Sequence, residues 1–144
     1  MLTSPVVKNF CELYQKLNKD NVDQVSDLYS EHTTFIDPMH EVHGLAALKR
    51  YFSSLYLNLN SCQFVIEQVI ESDNKVCLVW VMSFSHAKIK NGKMIKVPGC
   101  SHLEIDQDGK ISFHRDYFDV ACMIYEHVPI LGGAIRYIKR RAAS

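Results

Sequence analysis

No stretch of this 144-residue chain approaches the ~20 consecutive apolar residues that span a bilayer. Its first residues, MLTSPVVKNFCELYQ, lack the basic segment and unbroken apolar run of a secretory leader. The expected location is the cytoplasm. Charge of one sign is also missing: sixteen Lys and Arg offset sixteen Asp and Glu. Nothing therefore draws the whole molecule to nucleic acid or to a membrane, and neither is expected as a partner. The five cysteines, Cys11, Cys62, Cys77, Cys100 and Cys122, are odd in number and never spaced C-x-x-C. That argues against a disulfide framework and a zinc site, and they read as reduced, mostly buried thiols. Glycine-rich phosphate loops, nucleophile elbows, repeats and low-complexity segments are absent as well, which sets aside nucleotide use and serine hydrolysis. No cofactor or metal is expected. His40-Glu41-Val42-His43 groups possible ligands, but it follows Pro38 in a turn, without the helix that sets two histidines on one face, and reads as surface loop.

What is present is enough apolar mass for one globular domain over residues 1–144, with 47% hydrophobic and 22% charged residues. Two periods divide the chain. Ser4-Pro5 supplies a capping hydroxyl and a proline at the first helical position, and Val6, Phe10, Leu13 and Leu17 then recur at helical spacing. After the polar break at 18–21, Val22, Val25, Leu28 and Tyr29 predict a shorter second helix packed on the first. Thr33 to Ile36 reads as a short strand ended by Pro38, and a turn at Gly44 leads to a third helix, LAALKRYFSSLYLNL.

From Cys62 the texture becomes alternating and β-branched. The turn signals Asp73-Asn74, Asn91-Gly92 and Asp108-Gly109 divide it into four long antiparallel strands. A helical tail follows from Ala121, broken at Pro129 and Gly132-Gly133. The fold class is therefore α+β. Long strands must twist and curl, and helices must cover one face, so the expected shape is a cone-shaped, curved antiparallel sheet wrapped by N-terminal helices around a concave cavity. The uncovered convex face is too apolar to stay wet, which makes a homodimer the expected assembly. The basic tail, with Arg136, Lys139, Arg140 and Arg141 beside Ile135 and Ile138, offers a surface for anionic lipid or nucleic acid. A solvated helix end favoured by the macrodipole is the reading adopted.

The order helix, helix, short strand ending FIDP, helix, then four strands closing on DGKISFHRDYFD resembles the nuclear transport factor two superfamily, and more closely its SnoaL-like branch. LNKDNVDQVSDLYSEHTTFIDP is similar to the matching region of ketosteroid isomerase. DGKISFHRDYFD is similar to a stretch of limonene-epoxide hydrolase. The likeness covers nearly the whole chain and implies a cone that hosts isomerases, cyclases, hydrolases, dehydratases and non-catalytic binders alike, so the alternative to an enzyme is a ligand-binding protein or a protein-interaction module using its sheet.

In β-geometry Ser112, His114, Asp116 and Phe118 share one face, and Phe113, Arg115, Tyr117 and Asp119 the other. Periodicity does not choose between them. The resemblance implies that Asp116 matches a catalytic carboxylate and points inward with His114, a proton partner, and Phe118 beside it; the alternative is an aspartate in a salt bridge to an arginine or capping the strand edge. Asp37 falls where the isomerase places its general base, and a carboxylate walled by Phe35, Trp80 and Phe84 suits that task; an Asp before Pro also caps a turn through its own backbone. The isomerase's oxyanion-binding tyrosine and aspartic acid match Leu13, next to Tyr14, and Ser101. The hydrolase's arginine and second aspartate fall on VWVMSFSH, which offers neither. Candidate proton carriers are thus Asp37, Asp116 and His114, with Ser101 and Tyr14 as hydroxyl donors. The expected ligand is a small apolar molecule, bound by Trp80, Met82 and Phe84, by Val97 and Phe118, and by Phe52 and Tyr56 on the third helix.

Overall fold

The computed structural model describes residues 4–143. Helix α1 spans Pro5–Lys16 and a 3₁₀ turn Val22–Asp27; strand β1 is Tyr29–Ile36, β2 Glu41–His43, and helix α2 Leu45–Leu57. The long strands are β3 (Ser61–Ser72), β4 (Lys75–Ser85), β5 (Ile95–Ile105) and β6 (Ile111–Phe118). Short helix α3 (Val120–Met123), a 3₁₀ turn at Tyr125–His127 and helix α4 (Leu131–Ala143) end the chain. All six strands join one curved, unclosed sheet in the order β2-β1-β6-β5-β4-β3. Every pairing is antiparallel except β1 on β6, which is parallel and places Phe35 opposite His114.

Several local expectations change. The predicted second helix is only the 3₁₀ turn, because Tyr29 already belongs to β1. The aromatic and threonine-rich segment YSEHTTFI gains a whole ladder by pairing with β6, which outweighs the helical period of four residues before it. His40–His43 is not simply loop, since Glu41–His43 pairs with Thr34–Ile36. Gly132 and Gly133 lie inside α4 rather than breaking it. The Ser4 side chain makes no cap; its hydroxyl donates to Glu71 Oε1 at 3.3 Å.

The concave face carries the core. Along β4, Val76, Leu78, Trp80 and Phe84 are buried, and across β5 and β6 the same face continues through Ser101, Leu103 and His114. Helix α1 lays Val7, Phe10, Leu13 and Tyr14 on it, and α2 adds Leu48, Phe52 and Tyr56. Gly44, at φ 90°, provides the left-handed corner that starts α2. Gly99 matters differently. It stands between Trp80 on β4 and Phe118 on β6, and a Cβ there would meet the indole ring at under 3.0 Å. The missing side chain lets the indole lie across β5. Gly99→Ala is expected to cost about 1–3 kcal/mol by overpacking, with a shift in the emission of the single tryptophan; unchanged stability and emission would show that the ring has room to move.

Candidate active site

A cavity of about 260 Å³ opens on the concave side between α2 and the sheet. Its wall is almost wholly apolar: Phe35 from β1, Phe52 and Tyr56 from α2, Phe64 from β3, Trp80, Met82 and Phe84 from β4, and Phe118 from β6. Polar groups reach it at few points, notably Tyr14, Tyr51, Asp37, His86 and Asp116. Val97 does not line it; it is fully buried against Ile95 and beneath the lining residues Phe84 and Met123. Tyr14 does line it, because the turn that buries Phe10 brings round the residue four positions on, and the two rings stack 4.1 Å apart.

Asp116 ends a continuous hydrogen-bonded line. Tyr14 and Tyr29 hydroxyls are 2.6 Å apart, Tyr29 Oη is 2.7 Å from His114 Nδ1, and His114 Nε2 is 2.6 Å from Asp116 Oδ1. The Ser101 hydroxyl donates to the same Oδ1 at 2.5 Å, and the indole Nε1–H of Trp80 donates to Ser101 Oγ at 2.8 Å. Burial first of all pushes both Tyr14 and Tyr29 well above the ordinary tyrosine range, so both remain phenols and donors. One arrangement of protons gives every donor an acceptor: Tyr14 to Tyr29, Tyr29 to Nδ1, and Nε2–H to Asp116. Among the described residues, Asp116 Oδ2 receives no hydrogen bond, and the side chain, 18% exposed, borders both the cavity and the open groove beside Arg115.

His114 is 1% exposed and does not line the cavity, standing behind the lining residues Asp116, Phe35 and Tyr14. Its ring lies parallel to Tyr29 at 4° and meets the Phe35 edge at 4.8 Å. Ser101, too, stands behind Asp116 and Trp80 and does not line the cavity. The partner that the salt-bridge reading of Asp116 sought in an arginine is instead His114, which holds it by a hydrogen bond.

Asp37 is differently placed. Its Oδ1 accepts the backbone N–H groups of Met39 at 2.8 Å and His40 at 2.7 Å, and its Oδ2 accepts the Tyr51 hydroxyl at 2.5 Å. Both oxygens are occupied, and the turn-capping role is fulfilled. Burial, followed by the bond to Asp37, pushes the Tyr51 phenol far up, so it stays a donor. Asp37 and Asp116 also border an open groove beside Arg115. His40 is bound to Asp37 and Tyr51, and among the described residues no group of three or more His, Cys, Asp or Glu could hold a metal ion.

Tyr29, Tyr51, Cys62 and Phe64 are among the site residues that sequence reasoning missed. Tyr51 was available from period alone, lying three residues past Leu48 on the buried face of α2. Cys62 lines the cavity, and burial pushes its thiol up to about 11. In the native protein at about pH 8, where an ordinary thiol is partly ionised, Cys62 is expected to alkylate more slowly than Cys122. Equal rates, read by peptide mass, would place it outside the cavity.

Solved structures share this architecture at low identity. A protein with a ketosteroid isomerase-like fold from Catenulispora acidiphila, in complex with trimethylamine, is 12% identical; the match covers 88% of this chain and 93% of that one, with a TM-score of 0.73. A protein assigned to the SnoaL-like polyketide cyclases from Jannaschia is 15% identical over 85% and 94% of the two chains, with a TM-score of 0.70. TerC, co-crystallised with polyporic acid, is 14% identical over 83% and 95%, with a TM-score of 0.71. These likenesses establish the fold alone. No curated protein matches the sequence. The family model for the SnoaL-like domain, however, matches residues 10–114, from the helix that carries Tyr14 to the histidine that holds Asp116, and the chain belongs to that family.

Proposed function

We propose that the protein is an isomerase or cyclase acting on a small, largely apolar molecule with a carbonyl group, and that Asp116 moves the proton. The observation that carries this reading is the line from Tyr14 to Asp116, whose two ends both border the apolar cavity. Burying four polar side chains costs desolvation free energy that a network recovers only when every member is satisfied. Here one carboxylate oxygen is held by two donors while the other accepts no hydrogen bond among the described residues, and the side chain borders the cavity; a held carboxylate with one oxygen left open is what a general base needs.

In the proposed step Oδ2 of Asp116 takes a proton from the carbon beside the carbonyl, and the electron pair moves to the carbonyl oxygen. The Tyr14 O–H turns from Tyr29 to donate to that oxygen. The proton then leaves Asp116 for another carbon, giving an isomer, or for the alkoxide formed when the enolate attacks a second carbonyl, giving a ring. Neither outcome consumes a co-reactant. His114 keeps its N–H on Oδ1 throughout and fixes the carboxylate. The relatives assigned as polyketide cyclases or bound to polyporic acid support a ligand of this kind.

The test needs no natural substrate. Nitrobenzisoxazole is a flat apolar molecule that opens when a base removes one ring proton, and its release of a coloured phenolate reports a competent carboxylate in an apolar site. The wild-type protein and Asp37→Asn are expected to turn it over and Asp116→Asn is not. Loss with Asp37→Asn alone would move the role to Asp37. A competing reading is binding without turnover, favoured by the Ser101 hydroxyl being committed to Asp116 rather than to the cavity. In that case quenching of Trp80 fluorescence by an apolar naphthol would saturate, while no variant or wild-type protein turned over the probe.

The assembly is part of the proposal. The face opposite the cavity presents Val65, Ile70 and Tyr117, 55%, 50% and 47% exposed, around Val79 and Val81, with no helix over them. A second copy covering this sheet would give a light-scattering mass about twice 16.5 kDa. Val81→Glu should halve it, and a wild-type monomer at micromolar concentration would remove the dimer.

A further inference from the structure

Helix α4 is amphipathic, and Gly132, Arg136 and Lys139, not its apolar stripe, make its anchoring contacts. Gly132 is buried against the Glu126 carbonyl, where a Cβ would clash. Arg136 donates to that same carbonyl at 2.7 Å, and Lys139 reaches Asp119 Oδ2 at 2.7 Å and Glu126 Oε2 at 3.4 Å. These contacts fix the helix on the Tyr125–His127 turn and on the cap of α3. The apolar stripe formed by Leu131, Ala134 and Ile138, at spacings of three and four, consequently faces away from the protein. Ile138 is 62% exposed and Leu131 45%, and Ile130, just before the helix, is 92% exposed at a φ of 71° that β-branched residues rarely adopt. A helix end that merely needed solvation would show solvent the opposite face.

Charge indicates what covers the stripe. The helix holds four basic residues and no acidic one, in a chain whose basic and acidic residues balance to zero overall, so the rest of the molecule is net acidic. On the helical wheel, Lys139 and Arg141 flank the stripe on its two sides. A second copy docked through the same helix would set these cations against their own kind. Nucleic acid would leave Ile130, Leu131 and Ile138 wet. An interface that is anionic at its surface and apolar just beneath satisfies both features, and would repel the acidic remainder so that only this helix touches it.

We propose that α4 lies on an anionic lipid bilayer through Ile130, Leu131 and Ile138. The inference does not depend on Asp116 acting as a base. It bears on how an apolar ligand arrives, since Met123 and Ile124, which line the cavity, immediately precede the turn that carries the helix.

Flotation with vesicles tests it on the whole chain. Binding is expected to vesicles of mixed phosphatidylglycerol and phosphatidylcholine, to weaken as salt rises, and to be absent with phosphatidylcholine alone. Leu131→Asp with Ile138→Asp, two exposed positions whose change should leave the melting temperature in place, is expected to weaken binding at least tenfold, and Arg140→Glu with Arg141→Glu to do the same. No binding to the anionic vesicles, equal binding to neutral ones, or full retention by either double variant would overturn the proposal. So would a loss of dimer mass in Leu131→Asp with Ile138→Asp when the wild-type protein ignores vesicles, which would identify the occupant as a second copy.

Discussion

Asp116→Asn is expected to lower turnover of an apolar carbon acid by about 10²–10⁴-fold, the usual contribution of a positioned general base, while moving the melting temperature by no more than a few degrees. The asymmetry follows from which oxygen is engaged. An asparagine carbonyl placed at Oδ1 still accepts the N–H of His114 and the hydroxyl of Ser101, so both buried donors keep their acceptor. The amide nitrogen then occupies the Oδ2 position, which takes no hydrogen bond among the described residues, and it cannot take a proton. If Asp116 were instead a structural partner of His114, the neutral side chain would weaken the pair, the protein would melt markedly earlier, and apolar ligands would still quench Trp80. That result would end the catalytic reading.

The second large effect is on stability. His114→Ala is expected to cost about 3–5 kcal/mol, combining a void among aromatic rings with stranded polar partners. The imidazole is 1% exposed and sits against Phe10, Phe35, Tyr14 and Tyr29. Its loss leaves the Tyr29 hydroxyl and Asp116 without their shared partner. For a chain of this length such a loss corresponds to roughly 10 °C in melting temperature. His114→Leu refills most of the volume but restores no hydrogen bond, so the difference between the two variants separates packing from polarity. A cost under about 1 kcal/mol for His114→Ala would mean that Tyr29 and Asp116 rearrange around the vacancy.

Much of this architecture was legible because its signals are local. The Asp108-Gly109 turn and the alternation of ISFHRDYF fix β6, and the pairing of Ser101 with Asp116 follows from the hairpin. Trp80, Met82, Phe84 and Phe118 fell on the cavity wall because a strand has only two faces. Tyr29 was not legible, since Val22, Val25, Leu28 and Tyr29 keep a helical period up to the residue where the chain becomes extended. What makes it a strand residue is β6, more than eighty positions away. Val97 illustrates the opposite limit: it has the correct face, but whether a concave residue meets the cavity or the core beneath depends on α3 delivering Met123 over it. The mounting of α4 was also out of reach, because a helical wheel identifies two faces without saying which one the protein uses.

The parallel seam between β1 and β6 has a kinetic side. Strands β3 to β6 form successive hairpins, so each can close over a short loop as soon as its two arms exist. The contact between Tyr29 and His114 must instead bridge 85 residues, and the entropy of closing that span is recovered only once the hairpins offer an edge to dock on. Refolding should therefore yield a sheet with Asp116 in place before the imidazole behind it has found its tyrosine. A newly formed molecule would hold the sheet wall that carries Trp80 and Asp116 before β1 and α2 close the cavity over it, and the ability to bind an apolar probe would lag behind formation of the sheet.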